Sequence, residues 1–184
     1  MICQQAHSLL QLLQIRLLYR RAFPRSERKP FSMITSMRKK GKTDIWHFSK
    51  GGAFAGLATT VNSDDLILLD YLAVPEKLRG RGVGSEILQM LRKHYSGKGL
   101  FLEIESVEEG ASNYQERLNR KQFYLSNGMT DLHTEACVFG INMELLGFDC
   151  RLDFDGYRKF YRENLSEFAA NNITVPECKT GAKE

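Results

Sequence analysis

The stretch Leu72-Ala73-Val74-Pro75-Glu76-Lys77-Leu78-Arg79-Gly80-Arg81-Gly82-Val83-Gly84-Ser85 decides how this chain folds. It starts inside the run Leu66 to Val74, which reads as apolar on both faces, as a central strand covered by helices on both sides should. It ends in a helix, because Val83, Ile87, Leu88, Leu91 and Tyr95 recur at helical spacing before Ser96-Gly97 closes the pattern. Between strand and helix, Gly80, Gly82 and Gly84 remove side chains where the loop turns, so several backbone N–H groups converge on one anion. The helix beginning near Val83 adds its positive end, and Arg79 and Arg81 add mobile charge. These features predict a pyrophosphate site. Their plain alternative is a tight turn into a helix that binds nothing.

Other phosphate-binding patterns fail on spacing. A dinucleotide fingerprint would need its third glycine where Ser85 stands. No Gly-Lys-Ser/Thr tripeptide occurs, and a kinase-type glycine loop belongs in a hairpin of a far longer chain.

Working outward toward the start, Ser8 is placed to cap a helix running toward Ala22 and stopping near Pro24. A second helix presents Phe31, Ile34 and Met37 on one face and ends at Gly41. Strands from about Asp44 to Lys50 and Ala53 to Val61 flank Gly51-Gly52, a hairpin signal. Toward the end, Gly99 to Ser106 alternates as a strand, with Glu103 and Glu105 sharing one face. A helix from about Asn113 to Ser126 follows. Two strands, Thr130 to Thr134 and Ala136 to Leu146, precede a helix from Asp155 to Ala170 and a loose tail after Asn171. The predicted order is ααβββαβαββα: one α/β domain over residues 1–170, with a mixed, mostly antiparallel central sheet flanked by helices, and a tail over 171–184.

Composition sets outer limits. A chain of 184 residues is long enough for one sizeable core, and its formal charge of +4 is modest. The basic residues from Arg16 to Lys42 are interleaved with apolar ones at helical spacing, which reads as a solvated helix face and not as a nucleic-acid surface. The leucine-rich opening is broken by Gln and Arg and is too short and polar for a membrane span. Cys3, Cys137, Cys150 and Cys178 are scattered, which points to reduced thiols in a cytoplasmic protein. His7, His47, His94 and His133 have no ligand spacing, so no metal site is expected. With no Gly-x-Ser-x-Gly elbow and no Cys–His pair in view, a covalent enzyme intermediate is disfavoured.

Arg79-Gly80-Arg81-Gly82-Val83-Gly84 resembles the Arg/Gln-x-x-Gly-x-Gly/Ala signature of the GNAT superfamily of acetyl-CoA-dependent N-acyltransferases. Tyr71-Leu72-Ala73-Val74-Pro75 resembles the stretch ahead of that signature. Phe123-Tyr124-Leu125-Ser126-Asn127-Gly128-Met129 resembles the Phe-Tyr-x-x-x-Gly-Phe that ends the following helix, with Met129 in place of Phe. The match covers roughly Ala53 to Leu146. Ala22-Phe23-Pro24 with Glu27-Arg28 and Pro30 further resembles a bacterial subgroup of unassigned substrate.

The resemblance implies a sheet splayed at a bulge in the central strand, with the pantetheine arm pairing to the backbone of Leu72, Ala73 and Val74. It implies that backbone N–H groups among Arg79, Gly80, Arg81, Gly82, Val83, Gly84 and Ser85 hold the pyrophosphate of acetyl-CoA. Tyr124 takes the place of the tyrosine that serves the departing thiolate; its alternative is a tyrosine packing its helix on the sheet. Some relatives carry a basic glutamate on the central strand, where this chain has Leu68, and others carry it on the next strand. Glu105, then Glu103, are therefore the candidate bases, unless they only pair with Arg117 or Arg120. Glu27 could grip a cationic substrate, and Asn113 could bond the acceptor or cap its helix.

The expected function is transfer of an acetyl group from acetyl-CoA to a primary amine, small or peptidic, by direct attack in a ternary complex. A different reading is a non-catalytic acyl-CoA-binding module. The late strands could also pair between subunits as a homodimer.

Overall fold

A computed structural model describes residues 1–176. They resolve into two compact units, Met1–Phe101 and the chain from Leu102 on.

In the first unit, β1 (Ile2–Gln5), β2 (Thr43–Lys50), β3 (Ala53–Asn62) and β4 (Leu66–Ala73) pair antiparallel in that order. The first residues of β5 (Gly99–Glu105) then pair parallel to β4. A parallel neighbour requires a crossover, and α3 (Val83–His94) supplies it. Gly51 and Gly52 both take positive φ, 59° and 78°, in the two-residue turn expected between β2 and β3. β1 is an addition to the predicted order. Ile2-Cys3-Gln4-Gln5 is too short and polar to announce itself, and it is a strand because β2 offers it an edge.

α1 (Leu9–Ala22) begins at the predicted cap: Ser8 Oγ accepts from the Gln11 N–H at 3.1 Å, and the Gln11 side chain returns the bond to Ser8 N–H at 3.1 Å. Together with α2 (Phe31–Lys39) it covers one face of the sheet. Ile15, Leu18, Tyr19 and Ile34 are buried there against Ile45, Leu57, Tyr71 and Ala73. Gly56, one residue before Leu57, faces the other way, toward α3. A methyl group on it would come within 2.6 Å of Ile87 Cδ1 and 2.9 Å of the Ala73 carbonyl oxygen, so only glycine lets α3 approach this closely. Both faces of the central strands are thus covered, which is why Leu66 to Val74 reads as continuously apolar.

That run has one exception, Asp70. Thr59 opposes Tyr71 while Thr60 opposes Leu69, leaving Asp70 as the extra residue of a β-bulge. Pairing of β4 with β5 covers only Leu66, Ile67 and Leu68. Among the described residues, the β5-side edge of β4 is open beyond Leu68. This is the splay and the bulge that the resemblance implied.

In the second unit, α4 (Tyr114–Ser126) leads to β6 (Thr130–Val138), β7 (Ile141–Phe148), α5 (Phe154–Asn164), α6 (Glu167–Asn171) and β8 (Ile173–Thr174). β6 pairs antiparallel with both β7 and β8. Three expectations need correction here. The hairpin turn is not at Glu135 but at Phe139-Gly140, where φ is 49° and 84°. The misplacement traces to a real irregularity between Asp131 and Glu135, where His133 takes φ 54°. The single late helix is two, because Ser166 starts a new one by accepting from Ala169 N–H at 3.1 Å. The chain after Asn171 begins with a strand and not a loose tail, with Ile173 fully buried opposite Val138. The remainder of that tail, residues 177–184 with Cys178, lies outside the described residues.

Candidate active site

The glycine turn is built almost wholly from backbone. After a single 3₁₀ turn at Glu76–Leu78, Gly80 takes φ 68° and Gly82 takes φ 74°, the latter as the residue that starts α3. L side chains resist this conformation, and alternation about such residues turns successive N–H groups toward one point. The first N–H groups of α3 have no intrahelical partner, as in any helix, and no side-chain cap at Gly82 accepts from them. A β-carbon built on Gly80 or Gly82 would meet nothing within 4 Å. The glycines therefore answer a backbone need, and the space beside them is open. Arg79 and Arg81 are exposed, and Arg79 Nε donates to the Val74 carbonyl at 3.3 Å, tying the turn to the end of β4. Val83 is buried and anchors the helix start, while Gly84 and Ser85 are partly exposed.

Leu72, Ala73 and Val74 lie between the bulge and the turn. Leu72 and Ala73 bond to β3 through the pairs Ala58–Leu72 and Leu57–Ala73, and their other edge is the open one. A hollow of about 610 Å³, lined in part by Trp46, Met90 and His94, sits at the far end of α3 and has no share in the glycine turn.

The carboxylates expected to serve as bases are both engaged in the second unit. Glu105 Oε2 lies 2.9 Å from Arg117 Nε and accepts from Asn113 Nδ2 at 3.0 Å. Arg117 also donates to Asn113 Oδ1 at 2.7 Å and to the Ser106 carbonyl at 2.9 Å. Asn113 stands at the start of α4 but caps nothing with its side chain, because Glu105 and Arg117 hold it. Glu103 accepts a hydrogen bond from the Tyr161 hydroxyl. Beside this group, Lys121 pairs with buried Glu144 and with Asp131, the latter at 3.3 Å. Burial works against charge on Lys121, but both carboxylates outweigh it and raise its pKa. Burial likewise pushes Asp131 upward, while the His133 N–H at 2.8 Å and the Lys121 ammonium hold it below the usual carboxylate value.

Tyr124, on α4, packs edge-on against Phe123 with ring centres 5.1 Å apart. Desolvation pushes its phenol up to about 12, against the opposing charge of Arg120. Glu27 is exposed in the loop between α1 and α2, and its carbonyl accepts from the Tyr71 hydroxyl at 2.8 Å. That bond belongs to a cluster the sequence reading missed. Lys29 Nζ lies 2.7 Å from Asp70 Oδ1, Lys29 N–H donates to Tyr71 OH at 3.1 Å, and Tyr19 OH donates to the Lys29 carbonyl at 3.0 Å. The signal was available: Asp70 is the one charged residue between Leu66 and Val74.

The sequence model of the acetyltransferase (GNAT) family matches residues 11–119. The chain belongs to that family. It is 30% identical over 96 residues to YjbC of Bacillus subtilis strain 168, named for acetyltransferase activity by assignment; the match covers 52% of this chain and 47% of YjbC. The chain thus spans about half the length of that relative. A solved structure from Bacteroides thetaiotaomicron, assigned to the GNAT family, superposes with a TM-score of 0.75 at 19% identity, covering 88% of this chain and 97% of the other. An aminoglycoside 6'-N-acetyltransferase complexed with coenzyme A gives a TM-score of 0.61 at 13% identity, covering 80% and 96%. These likenesses establish the fold: α/β, with a mixed, mostly antiparallel sheet. Among the described residues, no helix is long and apolar enough to cross a membrane.

Proposed function

We propose that this protein transfers an acetyl group from acetyl-CoA to a primary amine. One observation carries the reading: β4 has an open backbone edge after Leu68, and one 3₁₀ turn beyond its end the chain enters an uncapped, glycine-built helix start. An extended amide-bearing arm ending in a pyrophosphate needs those two features in that order. Leu72, Ala73 and Val74 would bond the pantetheine arm. The N–H groups of Gly80 to Ser85 would take the pyrophosphate, with Arg79 and Arg81 adding charge.

The chemistry is direct attack in a ternary complex. The neutral amine attacks the thioester carbonyl, the carbon–sulfur bond breaks, and coenzyme A leaves as a thiolate. A proton must leave the amine, and Glu105 and Glu103 are the carboxylates assigned to accept it. Tyr124 serves the departing sulfur. With a pKa near 12 it stays protonated at neutral pH. Complete proton transfer to a thiolate, whose conjugate acid lies at about 8.5, would run uphill. Its contribution is therefore a hydrogen bond to the sulfur as charge develops. Glu27 and Asn113 are assigned to the acceptor side, Asn113 through its bond to Glu105.

The experiment is calorimetric titration with acetyl-CoA, followed by thiol release with a panel of primary amines. Saturable binding and release with at least one amine are expected. Absence of binding at millimolar acetyl-CoA would sink the reading. Tyr124→Phe should keep acetyl-CoA affinity and lose about 100-fold in turnover; unchanged turnover would remove Tyr124 from the mechanism.

A further inference from the structure

We propose that the Asp70 carboxylate and the face of Tyr71 form a binding site for the acceptor's ammonium group, which the Lys29 side chain occupies until the acceptor displaces it. This rests on reading Leu72 to Val74 as the edge that binds the pantetheine arm. If the pyrophosphate lies at Gly80 to Ser85 and the arm runs back along β4, its thioester end falls at the bulge. The residue the bulge inserts there is Asp70.

The bulge also sets the direction of the side chain. In a regular strand Asp70 and Tyr71 would point to opposite faces. Here Lys29 meets both, Asp70 through Nζ at 2.7 Å and Tyr71 through its backbone N–H at 3.1 Å, so both side chains project toward the α1–α2 side. Lys29 Nζ also stands 5.9 Å from the centre of the Tyr71 ring. A carboxylate in contact and an aromatic face within cation–π range are the two groups that recognise a primary ammonium. In this structure a primary ammonium is what they hold.

The attachment of Lys29 suits a displaceable occupant. Its backbone is pinned at both polar groups, by Tyr71 OH on the N–H and by Tyr19 OH on the carbonyl. Its side chain beyond that is a flexible four-carbon stem. The pair is reachable, with 24% of the Lys29 side chain and 12% of the Asp70 side chain exposed. Lys29 can therefore leave Asp70 by rotating about its own bonds while the loop stays fixed.

The test uses the full chain saturated with coenzyme A and n-butylammonium as the probe, with binding followed by NMR titration. Lys29→Ala should bind n-butylammonium at least about tenfold more tightly than the natural chain. Adding Asp70→Asn to Lys29→Ala should abolish that gain. Should Lys29→Ala not fold, Lys29→Met keeps the stem, drops the charge and leaves room for methylammonium, with the same tenfold gain expected. Equal affinity in the natural chain and the Lys29 variant, or a gain that survives Asp70→Asn, overturns the proposal. Coenzyme A affinity, measured on the same samples, separates the two failures: if coenzyme A binds and the amine pattern is absent, only the ammonium site is wrong. If coenzyme A does not bind the natural chain, the donor reading falls and this inference with it.

Discussion

The turn from β4 into α3 and the carboxylates at the end of β5 were both singled out as functional, yet they are built from different material. The turn is made of backbone: positive φ at Gly80 and Gly82, an uncapped helix start, an open strand edge. The carboxylate region is made of side chains that have already found one another: Glu105 with Arg117 and Asn113, Glu103 with Tyr161, Lys121 with Glu144 and Asp131. A site made of backbone presents unspent hydrogen-bonding capacity to a ligand. A site made of paired side chains must exchange an internal partner before it can act.

The strongest way to break the backbone half of this comparison is Gly82→Val. A β-branched side chain resists φ 74°, and its methyl groups would stand in the open space beside the turn. Acetyl-CoA affinity should fall about 100-fold, equivalent to about 2.7 kcal/mol, by calorimetric titration. An added β-carbon meets no neighbour within 4 Å, so the strain is confined to the turn's own backbone, and far-ultraviolet circular dichroism should show the fold retained. Retained affinity in Gly82→Val would show that the turn is no phosphate cradle.

The same division explains what was legible in the sequence. A backbone conformation leaves a direct trace, since Gly at 80 and 82 is itself the requirement. The helices announce themselves equally well, by apolar period and by the Ser8 cap. Pairing between side chains leaves no local trace. Arg117 stands twelve residues after Glu105, and nothing nearby says that it, and not Arg120, closes the ion pair. Asn113 was readable as a cap because its position is right; Arg117, one turn on in the same helix, and Glu105, from the end of β5, take its side chain instead. Asp70 shows the intermediate case. Its charge was visible, but the bulge that makes it matter depends on register with β3. The misplaced β6–β7 turn has the same cause, because Phe139 at positive φ is a result of the fold and not a preference of phenylalanine.

Glu105→Gln and Arg117→Met probe the side-chain half. Each leaves one partner of a largely buried pair unmatched, with 14% and 16% of the two side chains exposed. Allowing for solvent screening at that exposure, each should cost about 1–2 kcal/mol in urea unfolding. Turnover then sharpens the assignment. A loss beyond about tenfold in Glu105→Gln that Arg117→Met does not share marks Glu105 as the proton acceptor. Equal, small losses in both make the pair structural and leave the role to Glu103.

The smallest expected effect separates the two units by pH. In the first, His47 is buried, with Nε2 2.9 Å from Gln14 Oε1, and burial holds its pKa below the ordinary 6.5. Neutral in the folded state, it contributes stability above 6.5 that is lost as pH falls, because only the unfolded chain then takes up the proton. In the second, Asp131 is held below its ordinary 3.8 by the His133 N–H and Lys121. Its contribution persists to that lower pH and fades only as pH drops below 3.8. Hydrogen exchange, corrected for intrinsic rates, should therefore show β2–β3 amides losing protection between pH 7 and 5 while β6–β7 amides hold. The β6–β7 amides should follow only below pH 3.8, each change amounting to roughly 1 kcal/mol or less. His47→Gln should flatten the first step and leave the second in place. Simultaneous loss in both regions would mean that neither group governs its own unit.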